Sequence, residues 1–147
     1  MIWTPYQKGH LYLLESVQRR LMRYMSFKLN IPMHYTDHDY SELSILLNVP
    51  KIKTRHDVND CVFVWKIIND KIRCTDLKLL FKERKIDWDI RNFRLLKEQR
   101  VTDKLYIYFS TKYRLIRAWN SLDDDIRKIK NENQFKRLVT EKLLDFY

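Results

Sequence analysis

The sequence predicts a mainly α fold, a single small helical domain over residues 1–147 with about five to six helices and irregular connections. Three observations predict it. Apolar residues recur at three- and four-residue steps in several separate stretches. The single run rich in strand formers, Leu105-Tyr106-Ile107-Tyr108-Phe109, has no second run to pair with. And 45% hydrophobic with 14% aromatic residues supply one core, in a chain long enough to bury about 70% of its unfolded surface.

The elements follow in order. From Gln7 to about Leu29 the positions Leu14, Val17, Leu21, Tyr24 and Met25 describe one face of a long helix, with Arg19, Arg20 and Arg23 on another side. Asn30-Ile31-Pro32 ends it, because the residue before proline is pushed out of the helical region. Met33 to Tyr40 reads as a polar loop. Ser41 is the expected cap of a short helix through Leu47, stopped by Pro50, and Thr54 the expected cap of the next. There Val58, Cys61, Val62, Trp65 and Ile68 form an apolar face strong enough for a central core helix. Thr75 is expected to cap a short helix containing Leu77, Leu79, Leu80 and Phe81. Between Ile86 and Lys104 the periodicity weakens and an irregular, exposed connection or a poorly defined helix is expected. The Leu105–Phe109 run reads either as an extended segment or as the start of a helix ending near Asn120. A last helix, after the caps offered by Asn131 and Asn133, aligns Phe135, Leu138, Val139 and Leu143. No repeat, low-complexity tract or linker divides the chain.

The 29 Lys and Arg against 19 Asp and Glu give a formal charge of +10. Such an excess attracts polyanions through counterion release and points to nucleic acid ahead of a merely solvated basic surface. Cys61 and Cys74, without a secretory signal ahead of them, are expected to be free and buried. No apolar run approaches the ~18 residues of a membrane span. A chain inside the cell, in nucleus or cytoplasm, with no membrane partner is therefore expected.

Several chemistries are disfavoured. Phosphate-cradling loops need several glycines, and Gly9 is the only one. His34 and His38, with Asp37 and Asp39 on either side of His38, have metal-ligand spacing but no cysteine nearby, and read as a polar turn. Asp123-Asp124-Asp125 resembles a magnesium-binding carboxylate cluster in composition only; its setting suits an acidic turn at a helix end. No nucleophile and base pair stands out. No catalytic residue, metal, cofactor or small-molecule substrate is expected.

The positive signal lies between Lys104 and Leu122, where Lys104, Lys112, Arg114 and Arg117 interleave with Tyr106, Tyr108, Phe109, Tyr113 and Trp119 and no acidic residue intervenes. Cations for phosphates beside rings that stack on bases are what single strands and A-form helices require. The competing reading makes Tyr108, Leu115, Ile116 and Trp119 core residues and leaves the cations to solvate the opposite face.

In its order of features the chain resembles the region that follows the polymerase core in insect non-LTR, LINE-type, jockey-like retrotransposon reverse transcriptases. The similarity starts at Trp3-Thr4-Pro5-Tyr6 and is most specific at Leu14-Glu15-Ser16-Val17-Gln18-Arg19-Arg20, followed by Arg23-Tyr24. It continues through Tyr40, Leu43, Leu46, Arg55-His56, Asp60 and Trp65-Lys66-Ile67-Ile68, and closes with Arg117, Asn120-Ser121-Leu122 and Gln134-Phe135-Lys136. The aromatic-x-Asp-Asp polymerase motif, the fingers and palm, the endonuclease and a Cys-Cys-His-Cys knuckle are all missing.

The resemblance implies a thumb-side or post-thumb region that contacts template RNA and primer, in a parent whose activity is RNA-directed DNA polymerisation. The missing upstream polymerase domains would be its partners, and as a free-standing chain it would be a truncated element remnant or a single-domain fragment. The expected nucleic-acid contacts are Arg19, Arg20, Arg23, Lys104, Tyr106, Lys112, Tyr113, Arg114 and Arg117. The alternative is a helical protein-interaction module, which predicts an exposed apolar patch where the first reading predicts a basic one.

Overall fold

The computed structural model describes residues 7–31, 40–81, 95–97 and 110–144. It is mainly helical, with seven helices and no strand among the described residues. In chain order they are α1 (Lys8–Lys28), α2 (Ser41–Leu46), α3 (Ile52–Ile68), α4 (Thr75–Leu80), α5 (Thr111–Asn120), α6 (Asp124–Arg127) and α7 (Glu132–Leu144). The count exceeds expectation through α6, a single acidic turn. Close contacts group the chain into two compact units, residues 4–55 and residues 56–147 together with 1–3.

In the first unit, α1 turns a different face inward from the one its spacing suggested. Met22 and Ser26 are buried, and Leu11, Leu14, Gln18 and Met25 half-buried, while Val17, Leu21 and Tyr24 stand exposed. The helix is apolar on more than one side, so periodicity alone did not single out its inner face. Leu43 of α2 and Thr54 in the first turn of α3 complete the buried set. Thr54 is thus an interior helical residue and not a cap. Gln18 donates from Nε2 to the Pro50 carbonyl at 3.3 Å and accepts from Arg55 Nη2 at 2.8 Å.

Three helices end in the same way. Asn30, Asn48 and Asp70 adopt φ of 51°, 51° and 56°, in the left-handed region. In each case the next amide reaches back to a carbonyl five residues earlier: Ile31 to Ser26 at 3.1 Å, Val49 to Ser44 at 2.8 Å, and Lys71 to Lys66 at 2.8 Å. These are Schellman ends, usually made with glycine. In a chain with one glycine, Asn and Asp serve, since their short side chains tolerate that conformation best among the others. At the first two, the serine at the accepting carbonyl also donates its hydroxyl to the carbonyl beyond the turn, Ser26 to Ile31 at 2.9 Å and Ser44 to Val49.

Helix starts follow the expected chemistry less closely. The residues preceding α2 and α4 are Tyr40 and Cys74, without a side-chain cap bond, so Ser41 and Thr75 are first helical residues and not caps. Asn131 does cap α7, accepting from Gln134 N at 3.1 Å, and Ser110 caps α5, accepting from Tyr113 N at 3.3 Å.

The second unit holds the core. Val58, Cys61, Val64, Trp65 and Ile67 of α3 are buried with Phe81, Leu96, Leu115, Ile116, Trp119, Leu122, Phe135 and Val139. Val64 and Ile67 extend the apolar face expected of α3, which is enclosed on more than one side. Phe135 stacks on Trp65 with ring centres 5.7 Å apart and lies 6.0 Å from Trp119. Each large side chain so buried stabilises the fold by roughly 1.5–3 kcal/mol. Trp65 Nε1 donates to the Ile129 carbonyl at 2.8 Å, satisfying the one polar atom its burial would strand. Asn120 imitates a strand edge: its Oδ1 accepts from Leu96 N at 2.9 Å and its Nδ2 donates to Leu96 O at 3.0 Å. That pair of bonds holds Leu96 in the core.

Both cysteines are free, as expected; Cys61 is buried and Cys74 only half-buried. Burial, followed by the negative charges of Asp57 and Asp60, pushes the Cys61 thiol up to about 12. Asp123-Asp124-Asp125 is a helix-starting acidic turn whose carboxylates are engaged: Asp123 with Lys142 at 2.6 Å, Asp124 with Arg127, and Asp125 with Lys128 at 3.8 Å.

Candidate nucleic-acid interface

The expected contact residues fall into both units. On α1, the Arg19 guanidinium lies 4.4 Å from the centre of the Tyr12 ring, and Arg23 Nε donates to the Tyr40 hydroxyl at 3.2 Å. Arg20 is exposed. The three arginines follow one another within a single helical turn and a half, but each has its own surroundings.

On α5 the cations divide in two. Arg114 donates from Nε to Asp60 Oδ2 at 2.6 Å and from Nη2 to Asp60 Oδ1 at 3.3 Å. The Asp60 side chain is 2% exposed and that of Arg114 20%. This fork across α3 and α5 fixes the two helices and directs the guanidinium inward. Arg117 is exposed, and its guanidinium sits 5.6 Å from the Tyr113 ring centre, with Lys112 and Tyr113 half-buried nearby in sequence. A cation presented with a ring suits a phosphate beside a stacked base. Leu115, Ile116 and Trp119 occupy the core, as the competing reading of this segment expects. Lys104 and Tyr106 lie outside the described residues, as do Tyr108, Phe109, His34 and His38.

No protein-family model, no curated protein and no solved structure matches the chain.

The site's chemistry is therefore read from its own residues. No group of three or more His, Cys, Asp or Glu side chains suited to a metal occurs among the described residues. Gly9 lies in the first turn of α1 with open space where a Cβ would project. No described helix is long and apolar enough to cross a membrane.

Two features escaped the sequence reading. Asp60 as the partner of Arg114 lies 54 positions away, and no local pattern signals it. The exposed apolar residues of α1, among them Leu13 and Phe27, did leave a signal: Leu13, Val17, Arg20, Tyr24 and Phe27 follow alternating steps of four and three.

Proposed function

We propose that the chain is a non-catalytic nucleic-acid-binding segment of a non-LTR retrotransposon reverse transcriptase, contacting template RNA and primer. The observation that carries this reading is the pairing of an exposed Arg117 with the Tyr113 ring in a chain of charge +10. The cations would position phosphates and the tyrosine would stack on a base, while the chemistry of polymerisation belongs to the parent's missing domains.

The test is binding of the full chain to labelled single-stranded RNA and to an RNA–DNA hybrid across a salt series. Affinity should fall with salt. Arg117→Ala should weaken binding and lower the salt slope by about 0.7 on single strands for one lost phosphate contact. A folded chain that ignores both ligands overturns the reading. Arg114 is unsuited to this test because its loss strands Asp60 inside the fold.

A second reading, a helical module that docks on the parent polypeptide or on a partner, is favoured by one observation. Tyr12, Leu13, Val17, Leu21, Tyr24 and Phe27 of α1 are all more than half exposed.

A further inference from the structure

Resting on that second reading, we infer that the outer face of α1 is a helix-pairing seam whose occupant is an acidic amphipathic helix. Leu13, Val17, Arg20, Tyr24 and Phe27 sit at steps of four, three, four and three along Lys8–Lys28. That spacing averages 3.5 residues and is the a/d repeat by which one helix lays a narrow stripe into another. These five residues are exposed, with Val17 at 63% and Phe27 at 75%. The opposite face, with Met22 and Ser26, is the one the first unit buries. The stripe is therefore a second apolar face on a helix that has already used its first. It runs 15 residues, from Leu13 to Phe27, or about 21 Å at helical rise, enough for two heptads of a partner.

Charge selects the occupant. Arg20 stands inside the stripe, and Arg23 and Lys28 hold its two edges, the positions where pairing helices choose partners by ion pairs. Lys28 Nζ sits 5.7 Å from the Tyr24 ring centre, which keeps one edge cation beside the apolar seam. The only acidic residue of α1, Glu15, is half-buried on the other side. A second copy of α1 would place arginines against arginines and lysines, and like charges facing each other at close range disfavour it. A helix with leucines along its stripe and glutamates along both edges, with one carboxylate reaching Arg20, complements both the apolar stripe and the positive charge of the face.

The experiment titrates full-length chain with two synthetic amphipathic peptides of identical leucine stripe, one edged with glutamate and one with lysine. The glutamate-edged peptide should bind at least about tenfold more tightly. Arg20→Glu should abolish that preference, and a glutamate-edged peptide carrying lysine at the facing position should restore binding to the Arg20→Glu chain. Val17→Asp should remove binding of every peptide while leaving the circular dichroism unchanged, since Val17 is mostly exposed on the outer face of α1. Equal binding of the two peptides overturns the acidic partner and leaves a docking module standing; binding of neither overturns both. Self-association that Val17→Asp disrupts would assign the seam to a second copy. Capture of single-stranded RNA or anionic vesicles through these same residues, without peptide binding, would overturn the proposal in favour of a polyanion surface.

Discussion

Replacing Asp60 by asparagine keeps the shape of the side chain and removes its charge. The Arg114 side chain then stays four-fifths buried, with two of its donors still aimed at a group that no longer carries the opposite charge. Removing one partner of a buried pair costs about 3–5 kcal/mol. Water reaches the 20% of Arg114 that is exposed, so the lower end applies, about 3 kcal/mol. For a chain of this size that corresponds to a fall in Tm of about 6–12 °C. Denaturant unfolding followed through the fluorescence of Trp65 and Trp119, both in the same core, measures it. The control is a cycle with Arg114→Met: each single substitution should cost more than the double one, because the double variant buries no unpaired charge. If Asp60→Asn costs less than about 0.5 kcal/mol, or if the two costs simply add, the fork does not hold α3 to α5 and Arg114 returns to the pool of cations available to a ligand.

The folded-state pKa of Cys61, about 12, lies above the ordinary 9.0, so the native chain retains a proton that the unfolded chain releases. Stability from this group is complete below pH 9.0 and declines as pH rises toward about 12, which pH-dependent denaturation measures; native Cys61 should also resist a thiol reagent that labels the half-buried Cys74. At the end of α2, Asn48→Gly should raise stability by about 0.5–1 kcal/mol, since glycine adopts its left-handed backbone without a Cβ penalty, whereas Asn48→Ala should lower it; equal stability of the two variants in thermal melts would contradict the Schellman assignment.

What could be read before the fold was known depended on how locally each feature is encoded. Helix α1 was placed to within a residue at either end, and α3 was recognised as the core helix, because apolar spacing and proline stops act over a few residues. The caps at Ser41, Thr54 and Thr75 were misplaced because a capping side chain shifts by a residue or two when tertiary packing sets where the first turn forms. Asn131 succeeded, in a helix whose first turn is followed at once by the buried Phe135.

The sequence by itself determined the helical class, the core helix, the acidic turn at Asp123–Asp125 and the excess of positive charge, all of them properties of composition or short spacing. Only the tertiary structure decided which face of α1 is buried, since apolar residues lie on both. It alone separated Arg114 from Arg117, two arginines three residues apart on one helix, by bringing Asp60 from a distant part of the chain to one of them. A residue's character is written in its side chain, whereas its role depends on which partner comes within a few ångströms, and that is settled when helices far apart in sequence pack.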